Sequence, residues 1–190
     1  MSSSRKFIDA TPSAALLIES IRDIGYTIET AIADLIDNSI SASAKNIEIY
    51  LIDDSDGNPM LSIQDDGIGM SKEELILAMR LGSKDPNIKR PKDDLGRFGL
   101  GLKTASFSQA KKLIVKTKKD ESTFEASWDL DLVEKENKWF MDIDKVDGEN
   151  EIKDKGTIVR WEKIDTLEKK DQKNSQEYFE SITAQLAKHI

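Results

Sequence analysis

The chain contains no cysteine and one histidine, His189. Without thiols there is no disulfide framework, and a single imidazole leaves almost no zinc chemistry to consider. No apolar run approaches the roughly 20 residues that a membrane-spanning helix needs. The first residues, Met1-Ser2-Ser3-Ser4-Arg5-Lys6, lead into no apolar signal core, so a cytoplasmic protein without membrane association is expected. An excess of cations is missing too: 28 Lys and Arg face 36 Asp and Glu, a formal net charge of −8. That balance argues against a protein whose main business is coating nucleic acid. Basic residues do concentrate locally at Lys84, Lys89, Arg90, Lys92, Arg97 and Lys103, opposed by Asp85, Asp93 and Asp94. What the 190 residues do hold is 38% apolar and 34% charged side chains, the composition of a soluble domain able to bury one core.

Thr11-Pro12-Ser13 has the character of a helix start, a capping hydroxyl followed by proline at the first helical position. Leu16, Leu17 and Ile21 give this helix an apolar side, and Gly25 ends it. A second helix is expected from about residue 27 to 42, with a core stripe of Ile28, Ile32, Leu35 and Ile36. Strands are expected at 46–53 and 60–64, joined by a polar turn. Ser71 and Glu74 have the spacing of a capping box ahead of a third helix. From about residue 81 to 101 the chain is rich in Gly, Pro, Lys and Asp and keeps no pattern. Loops of that length inside a compact domain are usually functional or mobile. Four more strands are expected at 112–118, 123–130, 139–143 and 157–162, separated by charged turns. A last helix at 175–190 places Phe179, Ile182 and Leu186 on one face and runs out uncapped, so a following domain is expected.

The second helix carries Asp34 and Asn38, four residues apart and therefore on one face. A carboxylate near a water and an oxygen ligand for Mg²⁺ are the minimum needed to hydrolyse a nucleoside triphosphate. Asp65-Asp66-Gly67-Ile68-Gly69-Met70 follows directly on a strand. Two glycines so close permit a tight turn and let a flat ligand approach the main chain. A carboxylate at the strand end can accept a hydrogen bond from an exocyclic amine such as that of adenine. Gly96-Arg97-Phe98-Gly99-Leu100-Gly101-Leu102-Lys103-Thr104 leads into a helix, and the free N–H groups of a helix start, its dipole and Lys103 make a phosphate site. The stretch is not a P-loop. Gly96 and Gly101 have the spacing, but Leu102 follows and the lysine comes one position late, rotated by ~100°. The dinucleotide fingerprint fails as well, because Thr104 stands where its last glycine belongs.

In order and context these motifs, with Gly156-Thr157 opening the last strand, resemble the GHKL superfamily of gyrase, heat-shock chaperones, histidine kinases and MutL. Within it the chain looks most like bacterial stand-alone ATPases related to the MORC group, and the resemblance covers about residues 31 to 161. It implies an α/β (α+β two-layer) Bergerat fold, a mixed and mainly antiparallel sheet with helices on one face, over a single ATP-binding domain. It implies that Asn38 coordinates Mg²⁺, that Asp65 receives the adenine amine, and that Gly69 and Met70 line the base pocket beside Gly67. Ala42 would face the nucleotide, and Thr157 would support the adenine contact. Gly99, Leu100, Gly101 and Leu102 would present backbone to the phosphates, with Lys103 and Ser83 nearby. The segment from about 81 to 101 would be a lid, and lid closure on ATP would promote a homodimer. DNA or a protein client would be engaged through domains outside this chain.

Three departures from the family pattern stand out. Hydrolytic members place glutamate where this chain has Asp34, whose carboxylate sits roughly 1.5 Å further from the water. Asp66 replaces a common asparagine. The lysine that reaches the γ-phosphate from a following domain in gyrase-like and MutL-like members has no counterpart here. The expectation is slow ATP hydrolysis with Asp34 as base. The alternatives are an ATP-binding switch that scarcely hydrolyses, or a histidine kinase-type catalytic domain, against which stand His189 at the wrong end and the carboxylate at position 34.

Overall fold

The first helix is capped by Ser13 rather than Thr11. In the computed structural model, which describes residues 10–82, 101–147 and 151–165 with isolated positions at 8, 177, 180 and 184, α1 spans Ala14–Arg22. The Ser13 side chain accepts from the Leu16 N–H, so Pro12 precedes the cap instead of filling the first helical position. Its buried side is Ala14 and Ile18, with Ile21 partly covered, while Leu16 and Leu17 are exposed. The second helix, α2 (Ile28–Ser41), follows its periodicity closely. Thr27 caps it by accepting from the Thr30 N–H, Ala42 ends it, and Ile28, Ala31, Ile32, Leu35, Ile36 and Ser39 are buried.

Strands β1 (Ile47–Asp53) and β2 (Pro59–Asp65) form a hairpin. Its turn is held by Asp54, whose Oδ1 accepts from the Asp56 and Asn58 N–H groups at 2.8 and 2.9 Å. Helix α3 (Lys72–Met79) opens with the expected capping box: Ser71 accepts from the Glu74 N–H, and Glu74 accepts from the Ser71 N–H. Helix α4 (Gly101–Gln109) leads to β3 (Lys112–Lys119) and β4 (Ser122–Asp129). The remaining elements are α5 (Leu130–Glu136), β5 (Asp142–Lys145) and β6 (Gly156–Glu162).

Two further expectations need correction. A charged turn was expected after β4, but Asp129 accepts from the Asp131 N–H and starts a short helix that buries Leu130 and Val133. The strand expected at 139–143 begins later, at Asp142. Positions 83–100, most of the expected lid, and nearly all of the expected final helix lie outside the described residues.

The six strands run in the order β1-β2-β6-β3-β4-β5, and each neighbouring pair is antiparallel. Alternation along the strands directs Leu61, Ile63, Leu113, Val115, Ala126, Trp128 and Trp161 into one core with Ile18, Ile32, Leu35 and Phe107 of the helices. Ile114 and Ile158 alternate to the opposite face and are buried there. This is a two-layer α/β arrangement. The same alternation carries Asp65, Thr157 and Thr117 to the helix-bearing face, and register sets them side by side across β2, β6 and β3. No helix among the described residues is long and apolar enough to cross a membrane.

Candidate active site

Asp65 is the last residue of β2 and is 8% exposed. Its Oδ1 accepts from the Gly67 N–H at 2.9 Å, and its Oδ2 accepts from the Ser39 hydroxyl at 2.9 Å. The Thr157 N–H lies near the same carboxylate and favours its charged form. Burial pushes the Asp65 pKa up, and these donors pull against that rise. A carboxylate offers about four acceptor positions. Gly67 and Ser39 take two of them, one on each oxygen, which fixes the group in place and leaves room for a further donor.

Behind Asp65 runs a chain of hydroxyls. Thr117 is fully buried; it donates to the Gly156 carbonyl at 3.0 Å and lies 3.2 Å from the Thr157 hydroxyl. The Met70 N–H donates to Thr117 Oγ1 at 2.9 Å. The turn after β2 is thus tied to β3 through a threonine that sequence reasoning missed. Ser39 was missed as well. Neither side chain has a local signature, because each acquires its role from a partner far along the chain.

The glycines of the turn accommodate protein. Gly69 has φ +65°, and a Cβ there would stand 2.0 Å from the Lys118 carbonyl oxygen. At Gly67 a Cβ would meet Asp65 Oδ1 at 2.8 Å and the Ala42 Cβ and carbonyl at 2.9 Å. Gly156, with φ +138°, would bring a Cβ to 2.0 Å from the Asp65 carbonyl. Ala42 and β3 therefore approach Gly67 and Gly69 closely on the side where a Cβ would stand. Ala42 also accepts from the Ile68 N–H at 2.9 Å, which seats the turn on the end of α2. Asp66 is engaged by the residues that lead into β1. Its carboxylate accepts from the Lys45 and Asn46 N–H groups and from the Asn46 side chain, and these bonds lower its pKa to about 2.

On α2, Asp34 is half-buried and Asn38 is exposed. No described side chain holds the Asn38 carboxamide. Asp34 looks toward the start of α4, where its Oδ2 lies 3.9 Å from the position a Cβ on Gly101 would occupy. A residue that sequence reasoning overlooked stands beside it. Partial burial, the Asp34 charge and a hydrogen bond to its carboxylate raise the Tyr26 pKa. The Tyr26 carbonyl accepts from buried Gln109 at 2.9 Å, which links the start of α2 to α4.

Helix α4 presents the N–H groups of its first turn at Gly101, Leu102 and Lys103, the arrangement that favours an anion. Leu102 packs against the core. Lys103 does not extend to solvent. It is 1% exposed, and its ammonium donates to the Ala78 carbonyl at 2.7 Å and the Arg80 carbonyl at 3.0 Å. Ser83, Gly99 and Leu100 lie outside the described residues. The far end of α4 is fixed by Arg22, which donates to the Phe107 and Ala110 carbonyls at 2.6 and 3.2 Å and pairs with Asp165.

The family model of histidine kinase-, DNA gyrase B-, and HSP90-like ATPases matches residues 26–166. ATPase morc-1 of Caenorhabditis elegans is 35% identical over 91 residues, which are 48% of this chain and 10% of that protein. The human MORC family CW-type zinc finger protein 1 is 35% identical over 94 residues, 48% of this chain and 10% of the relative. A DNA mismatch repair protein MutL of Paramagnetospirillum magneticum is 35% identical over 69 residues, 36% of this chain and 10% of its own length. The chain thus spans about a tenth of these relatives. With the family model matched from Tyr26 to residue 166, the chain belongs to the histidine kinase-, DNA gyrase B- and HSP90-like ATPases and carries an ATP-binding ATPase domain.

Proposed function

We propose that this domain holds ATP with Mg²⁺ between α2, the turn after β2 and the start of α4, and hydrolyses it slowly with Asp34 as general base. The observation that carries the reading is Asp65: a sheltered carboxylate, fixed by Gly67 and Ser39, with acceptor capacity left. An exocyclic amine suits that capacity, whereas a carbonyl at the same place would set oxygen against oxygen. Polyphosphate would run from there along α2 to the first turn of α4, whose N–H groups favour negative charge.

Asn38 would hold the Mg²⁺. Among the described residues no three His, Cys, Asp or Glu side chains gather into a metal site. One exposed carboxamide oxygen suits Mg²⁺, which commonly takes one or two protein ligands and completes its shell with phosphates and water. When bound, it would neutralise charge on the phosphates. Asp34 would accept a proton from water as the water oxygen bonds to the γ-phosphorus and the bond to the ADP oxygen breaks. Its place opposite Gly101 supports that assignment. Its short side chain supports slow turnover, since small errors in reach cost about 10²-fold.

ATP binding would close the segment around residues 81–101 as a lid and favour a homodimer. DNA or a protein client would be reached through domains beyond this chain. Turnover of Asp34→Ala and Asp34→Glu tests the base. The alanine variant is expected to lose hydrolysis while still binding ATP, and the glutamate variant to match or exceed wild type. Unchanged rates in both would remove Asp34 from the chemistry. Equal dimerisation with ATP and a non-hydrolysable analogue, without phosphate release, would favour a binding switch.

A further inference from the structure

Lysine is seldom fully buried unless something compensates its charge. Lys103 is the third residue of α4, and its side chain crosses to the end of α3. The carbonyls it reaches, Ala78 and Arg80, belong to the last turn and C-cap of α3, where intrahelical partners run out and partial negative charge accumulates. The carbonyl between them, that of Met79, accepts from Trp128 Nε1 at 3.0 Å. Three consecutive carbonyls are therefore satisfied by side chains from elsewhere, two of them by one ammonium. Trp128 lies on β4, so only the lysine joins α3 to α4 through these bonds.

The place of Lys103 within α4 gives this joint its consequence. Gly101, Leu102 and Lys103 are the first turn, so the clamp acts on the same residues whose N–H groups face the proposed phosphates. A shift of that turn changes where its N–H groups point, and an anion site depends on that direction.

We infer that Lys103 is a positioning residue, an ammonium clamp that locks the phosphate-facing start of α4 to the C-terminal carbonyls of α3. The inference rests on the ATP reading, and its test separates the two. The variants are Lys103→Met, which keeps much of the packing without the donors, and Trp128→Phe, which frees the Met79 carbonyl while keeping an aromatic ring against Phe107 near the far end of α4. Hydrogen exchange is followed in the nucleotide-free chain, and affinities for ATP and adenosine are measured by calorimetry, with thermal melts confirming that both variants fold.

Lys103→Met is expected to speed exchange at residues 76–82 and 101–106 without nucleotide. It is also expected to weaken ATP by about tenfold, the scale of a lost charge-assisted hydrogen bond, while adenosine changes less than twofold. Trp128→Phe is expected to leave the ratio of ATP to adenosine affinity as in wild type. Unchanged exchange in the nucleotide-free Lys103→Met chain would overturn the clamp and return the ammonium to a direct phosphate role. Equal losses for ATP and adenosine, no loss for either, or the same selective loss in Trp128→Phe would overturn positioning. Failure of wild type to bind either compound would instead remove the nucleotide reading, while exchange would still report whether the clamp exists.

Discussion

Asp34 and Asn38 share a face of α2, yet their surroundings differ. Asn38 is exposed, while Asp34 is half-buried with Tyr26 at its carboxylate and the start of α4 opposite. A short carboxylate gains from being held in one orientation, a role open to the neighbouring Tyr26 phenol. Tyr26→Phe is expected to lower kcat by about tenfold with KM for ATP unchanged, the loss of one hydrogen bond to a charged group. In an Asp34→Asn background the same change is expected to do nothing further. Steady-state phosphate release checks both, and an equal effect in the two backgrounds would assign Tyr26 to folding alone.

The pKa values of the adjacent carboxylates Asp65 and Asp66 are shifted in opposite directions. Bonds from Lys45 and Asn46 hold Asp66 at about 2, below the ordinary 3.8. Its contribution to stability is therefore complete above 3.8 and is lost as pH falls from there through 2. Asp65 is raised by burial, so its charge opposes folding at neutral pH, and that cost fades as pH falls through its raised value toward 3.8. Asp66→Asn is expected to be less stable than wild type at pH 7, with the gap closing between pH 3.8 and 2. Urea unfolding across that range measures it, and a gap independent of pH would show that the Asp66 charge is immaterial.

At the scale of elements, α2 and the capping box of α3 were legible because their signals are local. A hydroxyl, a few intervening residues and an apolar repeat define each. Helix α5 was not legible. It has seven residues, five of them between Asp131 and Glu136 largely charged or exposed, and only contact with the core reveals Leu130 and Val133 as its buried side. Site residues divide the same way. Asp34, Asn38, Asp65 and Thr157 stood out by motif, whereas Ser39, Thr117 and Tyr26 matter through contacts that spacing does not encode. The missing side chains of the turn glycines also admit Ala42 and β3, a requirement that spacing does not encode. Gly69→Ala combines a left-handed backbone with a Cβ 2.0 Å from the Lys118 oxygen. It is expected to cost at least about 2 kcal/mol. A denaturant melt reads the loss, and a stability within about 0.5 kcal/mol of wild type, the ordinary surface range, would show that the turn is free to shift.

At the scale of the molecule, the sheet and helices serve to bring three separate stretches to one place. Register lines up Asp65, Thr157 and Thr117, the end of α2 seats the turn through Ala42, and Arg22 and Gln109 fix α4 against α1 and the start of α2. Adenine recognition at Asp65 is the claim on which phosphate contacts, Mg²⁺ and hydrolysis all depend. Calorimetric titration of ATP into wild type and Asp65→Asn addresses it most directly, because the amide keeps the size of the side chain but turns an acceptor into a donor facing the amine. Wild type is expected to bind ATP, and the variant to bind it roughly 10–100-fold more weakly while remaining folded. Equal affinity in the two folded proteins would contradict the claim.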